Sequence, residues 1–294
     1  MTSRLRREWR FRDGVLLMTL VALAVIATRD IWANIFEIAW RDEENSYVLL
    51  APLIAAWLFW IRRDRLRFCS PHWTPTGPIV IGFGWVVIAV GYAKGFEIGE
   101  HLGALLVVFG AGLSVFGWKF VRSFLPAFVG LLFLLPTPGT VRSFVAIPLQ
   151  AHSASITHSI LETFGFPIFQ EGNVLSINGQ DVAVAEACNG MRMVSALALV
   201  TYAFVFSVPM RQSVRIGFLV FSPLVALFVN IIRLVPTVLF YGYTTESTAE
   251  LFHDVSGWAM LGVALVILWG FQMLLRWLEI PILPYSSGQP EYAR

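Results

Sequence analysis

The chain has 294 residues, of which 57% are hydrophobic and 14% are charged, with a formal net charge of +2. Soluble domains carry about 25% charged residues, so this composition excludes a water-facing globule. The two cysteines, Cys69 and Cys188, are too few for a disulfide framework.

Eight apolar stretches are long enough to cross a hydrocarbon core, which needs about 20 residues. They lie near 14–33, 46–62, 77–95, 101–118, 121–137, 190–208, 214–233 and 254–275. The connections alternate in charge, because arginines crowd the N-terminus and the second connection whereas Asp42, Glu43 and Glu44 fill the first. Under the positive-inside rule, this alternation predicts an all-α polytopic membrane protein with both termini inside.

The segment 138–187 is too polar for one span, and the predicted topology places it on the outer side of the membrane. Within it, 142–164 has the pattern of an amphipathic helix lying along the interface. The apolar residues of this helix are Phe144, Ile147, Ile156, Ile160 and Leu161. The polar residues among them are Gln150, His152, Ser153, Ser155 and His158. The alternative is a membrane-embedded helix that begins and ends on the same side.

The next stretch, 173–187, predicts a small extracytoplasmic β-hairpin. Asn178-Gly179 stands between runs of β-branched residues, and both residues of such a turn tolerate positive φ. The second strand would lead directly to Cys188. We assign 1–283 to one membrane domain and expect the tail 284–294 to be disordered.

Three ionisable side chains are predicted to reach one level near the outer face. Cys188 lies 23 residues before Arg211, Arg233 lies 18 after Arg215, and His253 lies 23 before Arg276. At 1.5 Å per residue these offsets are roughly 35, 27 and 35 Å, measured from arginines that mark inner helix ends. The sequence therefore predicts that Cys188, Arg233 and His253 come together.

Each of these side chains has a chemical role that fits such a site. Cys188 lies where a helix begins, and a helix N-terminus stabilises a thiolate nucleophile. Arg233 is a fixed cation for a developing oxyanion, and His253 is suited to proton transfer. Asn230 would add an amide hydrogen bond one turn from Arg233. Taken singly, each has a structural alternative: an inert packed thiol, an interfacial anchor and a helix cap.

Three motifs in this order resemble the exosortase/archaeosortase family: Glu186-Ala187-Cys188-Asn189-Gly190-Met191-Arg192, Asn230-x-x-Arg233 and His253-x-x-x-Gly257. The resemblance covers about 45 to 275. It implies a membrane cysteine transpeptidase with Cys188 as nucleophile, Arg233 as stabiliser and His253 as acid and base. Glu186, Asn189 and Asn230 would support them, although family members often have Ser where this chain has Asn189.

The resemblance also implies the partners. Substrates would be secreted proteins whose C-terminus carries a short motif such as Pro-Glu-Pro, an apolar helix and a basic end. The enzyme would lie in the cytoplasmic membrane among lipids, with its site facing the periplasm or outside. An unidentified acceptor would resolve the intermediate, and we expect no nucleic-acid partner.

Two other functions remain open at this stage. One is a transporter or scaffold for exported polysaccharide, although polar groups gathered at one edge are not typical of a transporter. The other is a hydrolase that resolves the same thioester with water. No metal or other cofactor is expected, because His and carboxylates lack close ligand spacing such as His-x-x-x-His.

Overall fold

The computed structural model describes residues 11–69, 73–184 and 190–278. Helices make up most of these ranges, with one small antiparallel sheet. The chain divides into two compact units at the boundary between Pro138 and Gly139. The assignment of 1–283 to a single domain stays a prediction, and the tail 284–294 lies outside the described residues.

Within the described residues, the first unit contains six α-helices and three short 3-10 helices. The α-helices are α1 Phe11–Ala27, α2 Arg29–Arg41, α3 Ala51–Ile61, α4 Thr76–Lys94, α5 Glu97–Ser123 and α6 Leu125–Gly130. The 3-10 helices are Glu43–Leu50, Arg63–Phe68 and Leu131–Leu134.

The first predicted span, 14–33, is not one straight helix. α1 and α2 are bent by 74° at Thr28. Thr28 Oγ1 donates to Ala24 O (2.8 Å) and accepts a hydrogen bond from Trp32 Nε1 (2.9 Å). The buried threonine thus joins the last turn of α1 to the first turn of α2 and holds the bend.

α4 and α5 pack backbone against backbone. Gly77, Gly84 and Gly91 recur every seven residues on α4 and are all buried. A Cβ atom built on Gly103 of α5 would lie only 2.7 Å from the Gly84 carbonyl oxygen. Small residues allow such close approach between membrane helices, which compensates for the lack of a hydrophobic driving force in lipid.

The described part of the second unit contains four helices and the sheet. Its helices are α7 Gly139–Thr163, α8 Gly190–Ser207, α9 Gln212–Tyr243 and α10 Glu246–Trp277. The strands are β1 Ile168–Glu171, β2 Val174–Ile177 and β3 Gln180–Ala183, in the order β1-β2-β3.

The turn between β2 and β3 falls at Asn178-Gly179, where the sequence predicts it. Ile177 pairs with Gln180, and the two turn residues have φ values of 53° and 77°. The structure adds a third strand, β1, which pairs antiparallel with β2 and which the sequence analysis missed. The extracytoplasmic position of the sheet stays a prediction.

Five described helical stretches are long and apolar enough to cross a membrane, or six if the bent pair α1–α2 is one span. The chain is therefore a multi-pass, mainly α-helical membrane protein. Near the remaining predicted spans, 121–137 and 190–208, the apolar helices are shorter, Leu125–Leu134 and Val194–Ser207. The count of eight spans and the orientation stay predictions.

α7 covers the predicted helix 142–164, but its faces differ from the expected arrangement. Phe144 and Ile147 are exposed, whereas Ser153 and Thr157 are buried. The exposed side also carries Ser155 and Ser159, and Leu161 is buried, so polar and apolar residues occur on both sides of the helix. Whether α7 is interfacial or embedded stays a prediction.

We predict that Gly103→Ala destabilises the first unit, because its methyl group must displace the Gly84 carbonyl. The expected loss is about 1–3 kcal/mol of unfolding free energy. Gly112→Ala on the same helix is the control, because a Cβ there meets nothing within 4 Å. Thermal unfolding in detergent should show a lower midpoint for Gly103→Ala alone, and equal midpoints would contradict the close packing.

Candidate active site

Arg233 and His253 form a hydrogen bond between α9 and α10. The Nη2 atom of Arg233 lies 2.9 Å from Nε2 of His253, and Arg233 is only 3% exposed. A guanidinium has donors and no acceptor, so Nε2 of the imidazole must be the acceptor. In this state the ring is therefore neutral and its proton is on Nδ1.

Neighbouring contacts join α9 to α10 next to His253. The rings of Phe240 and Phe252 stack between the same two helices, with centroids 4.2 Å apart and planes 6° from parallel. Because Phe252 directly precedes His253, this stack fixes the backbone that carries the imidazole. Ser256 Oγ donates to the carbonyl oxygen of His253 (3.0 Å).

The two helices extend beyond the predicted spans 214–233 and 254–275. α9 continues to Tyr243, and α10 begins at Glu246. Arg233 and His253 consequently lie well inside the helix pair and not on its terminal turns. This position explains why a charged side chain can be almost completely shielded from solvent.

Asn230 lies one turn before Arg233 on α9, as the sequence predicts. It is 3% exposed, and its Oδ1 atom accepts no hydrogen bond from any described residue. Leaving a buried acceptor unsatisfied costs roughly 1–3 kcal/mol. Such an atom beside a cation marks this place as one built to receive another polar group.

The first residues of α8 come to the height of Asn230. Arg215 Nε donates to the carbonyl oxygen of Val205 (3.1 Å), which fixes the register between the antiparallel helices α8 and α9. The same number of residues separates Gly190 from Val205 on α8 and Asn230 from Arg215 on α9. Because the rise per residue is equal along both helices, Gly190 and Asn230 lie at about the same level. The N-terminus of α8 therefore lies about one turn from the level of Arg233.

The sheet is attached by hydrogen bonds to α7 and α9. Asn178 Nδ2 donates to Gly242 O (3.0 Å) on α9, and Asn173 Nδ2 donates to Gln150 Oε1 (3.3 Å) on α7. At the end of the hairpin opposite the Asn178-Gly179 turn, Val184 N donates to Asn173 O (2.9 Å). β3 thus ends beside Gln150, at the opposite end of the sheet from Gly242.

Three predicted site residues, Cys188, Glu186 and Asn189, lie outside the described residues. The structure brings Arg233 and His253 into direct contact and places Asn230 one turn away. Their catalytic and supporting roles stay predictions.

The sequence analysis missed the buried hydroxyls of Ser153 and Thr157 on α7. It assigned Ser153 to the polar, water-facing side of that helix, but both residues are less than 2% exposed. The signal was their spacing of four residues, which places two hydroxyls on one helical face. Within the described ranges, no three His, Cys, Asp or Glu side chains are grouped as metal ligands.

Cys69 has the surroundings of a structural thiol. It is 4% exposed and packs in an apolar cluster with Phe116, Phe120 and Phe124. Its Sγ lies 3.6 Å from Ser123 Oγ. A thiol among aromatic rings behaves as a small apolar side chain, so Cys69 has a packing role in this cluster.

The Arg233–His253 bond should appear as a coupling energy in a double-mutant cycle. With Arg233→Met and His253→Phe, we expect a coupling of about 1–3 kcal/mol in the free energy of unfolding, as for hydrogen bonds to charged groups. Denaturant titration in mixed micelles measures it. A cycle of Arg233→Met with Glu250→Gln, an exposed residue one turn away on α10, is the control. Equal coupling in both cycles would show that the bond adds nothing specific.

The comparisons with known proteins agree with the sequence resemblance. The sequence profile of the family described as transmembrane exosortase (Exosortase_EpsH) matches residues 39–270, well over half of the chain. No curated protein and no solved structure matches the chain. The matched range includes both helices of the Arg233–His253 pair almost completely. On this evidence the chain belongs to the transmembrane exosortase family.

Proposed function

We propose that this protein is a membrane cysteine transpeptidase that cleaves C-terminal sorting signals of secreted proteins. The observation that carries the proposal is the buried hydrogen bond between Arg233 and His253. Counted along the two helices from the Arg215–Val205 hydrogen bond, the level of Arg233 is about one turn from that of the N-terminus of α8. In the sequence, Cys188 comes two residues before that helix.

The proposed substrate is a secreted protein whose C-terminus has a recognition motif, an apolar helix and a basic end. Its helix inserts beside the enzyme in the cytoplasmic membrane with the basic end inside, as the positive-inside rule requires. The motif then emerges at the outer face, where we place the site.

In the acylation step, the thiolate of Cys188 forms a bond to the carbonyl carbon of the substrate peptide. Arg233 stabilises the oxyanion of the tetrahedral intermediate. The C–N bond then breaks, and the proton taken from the thiol passes through His253 to the leaving amine. The products are a thioester on Cys188 and the released C-terminal helix.

The resting hydrogen bond links the tasks of the two side chains. While Arg233 donates to Nε2 of His253, this nitrogen has no lone pair available for a proton. When the guanidinium turns toward the developing oxyanion, Nε2 is released to take and return the proton. This one movement of the guanidinium therefore allows Arg233 to stabilise the oxyanion and His253 to transfer the proton.

In the second step an acceptor amine, or water, attacks the thioester and regenerates the Cys188 thiol. The acceptor decides between transpeptidation and hydrolysis. Glu186 and Asn189 flank the nucleophile in the sequence, and Asn230 supplies an amide beside Arg233. We assign these three residues supporting roles.

The direct test is removal of a C-terminal tag from such a substrate in cells. Wild-type protein should release the tag, whereas Cys188→Ala should abolish release. We expect rate losses of about 10²–10³ for Arg233→Ala, as for a lost oxyanion donor, and about 10²–10⁴ for His253→Ala. Immunoblotting of the tag and mass spectrometry of the new C-terminus report cleavage and the acceptor.

Cys69→Ala is the matched control, because it removes the other cysteine from a packed site in the first unit. It should process the substrate at the wild-type rate. Normal processing by a membrane-inserted Cys188→Ala protein would refute the nucleophile and favour a transport or scaffold function.

A further inference from the structure

Ser153 and Thr157 differ from the other hydroxyl residues of α7. The exposed residues Ser143, Ser159 and Thr163 each donate to the carbonyl oxygen four residues earlier. Ser153 Oγ and Thr157 Oγ1 are fully buried and make no hydrogen bond with any described residue. Their hydroxyl groups are therefore available for a partner within the protein interior.

The position of Thr157 follows from the apolar contacts of its helix. Ala154 and Leu161 of α7 pack in one cluster with Leu234 and Val238 of α9. Thr157 lies between Ala154 and Leu161 on the same helical face. Its hydroxyl thus lies on the face of α7 that packs against α9 and the small sheet.

The facing part of α9 carries the candidate active site. Leu234 directly follows Arg233 and lies one turn after Asn230. Ser153 lies one turn before Thr157, and both Ser153 Oγ and Asn230 Oδ1 lack a hydrogen-bond partner among the described residues. Three uncharged polar groups from two helices therefore line the interface next to the Arg233–His253 pair.

We infer that Ser153, Thr157 and Asn230 are positioning residues that hydrogen-bond the main chain of the substrate's recognition segment. This inference rests on the proposed function. An extended peptide presents an N–H and a C=O at every residue, and each needs a partner away from water. Hydroxyls can donate or accept, and the amide oxygen accepts, so together they serve both kinds of group.

The absence of charge on these three groups favours a peptide main chain over a charged headgroup. They offer hydrogen bonds without an ion pair, which leaves the Arg233 charge for the oxyanion. Hydrogen bonds from these three side chains to the peptide would hold its carbonyl at a fixed distance from Arg233. Such positioning is a large part of enzymatic rate enhancement.

The test measures cleavage kinetics of a purified C-terminal reporter substrate by the full-length protein in detergent. Thr157→Val removes the hydroxyl but keeps the shape, and we expect kcat/KM to fall about tenfold, mainly through a higher KM. Ser153→Ala should have a similar effect. Thr157→Ser keeps the hydroxyl and should retain wild-type kinetics.

Thr201→Val is the matched control. Thr201 is also buried, with an Oγ1 atom that lacks a partner among the described residues. It lies one turn from Leu197 and Val205, which belong to a different apolar cluster, so its substitution should leave kcat and KM unchanged.

Wild-type kinetics for Thr157→Val would overturn the inference. Equal losses in Thr157→Val and Thr201→Val, with lower melting temperatures for both, would also contradict it because they indicate a purely structural role. In either case, cleavage that still depends on Cys188 would leave the proposed function standing.

Discussion

The buried hydrogen bond between Arg233 and His253 is the interaction on which the second unit depends. A guanidinium inside an apolar helix pair needs hydrogen-bond acceptors for its donors. His253 accepts one of these bonds across 2.9 Å, and the adjacent Phe240–Phe252 stack keeps α9 and α10 in the required register. The same α9 carries the Arg215 contact that sets the height of α8, so one helix aligns the cation, the imidazole and the helix start that follows Cys188.

The remaining elements of this unit enclose that centre. The sheet is fixed to α7 at Gln150 and to α9 at Gly242, and its apolar face packs on Leu234 and Val238. α7 contributes hydroxyls where a well-packed apolar core would have methyl groups. The proposed function, cleavage of a peptide that emerges from a bilayer, would need both a charged centre shielded from water and polar groups for the peptide itself.

Much of this arrangement was accessible from sequence because it depends on helical rise and on charge. Offsets of 18 and 23 residues from Arg215 and Arg276 predicted that Arg233 and His253 lie near one level, and Asn178-Gly179 marked the hairpin turn. The bend at Thr28 was missed because the predicted span 14–33 was continued through Arg29-Asp30, the charged pair that directly follows Thr28. The buried face of α7 was missed because serines and threonines on a helix fit a water-facing side as well as a polar interior. Deciding between them requires knowledge of which helix packs against it.

The most direct measurement is identification of the acyl-enzyme by mass spectrometry. Cys69→Ala protein would be mixed with a C-terminally tagged substrate, quenched in acid and digested. The account predicts that the peptide containing Cys188 carries the N-terminal part of the substrate as a thioester, which hydroxylamine removes. Substrate cleavage without any adduct on Cys188, or with an adduct on another residue, would contradict the assignment of Cys188 as the nucleophile beside Arg233 and His253.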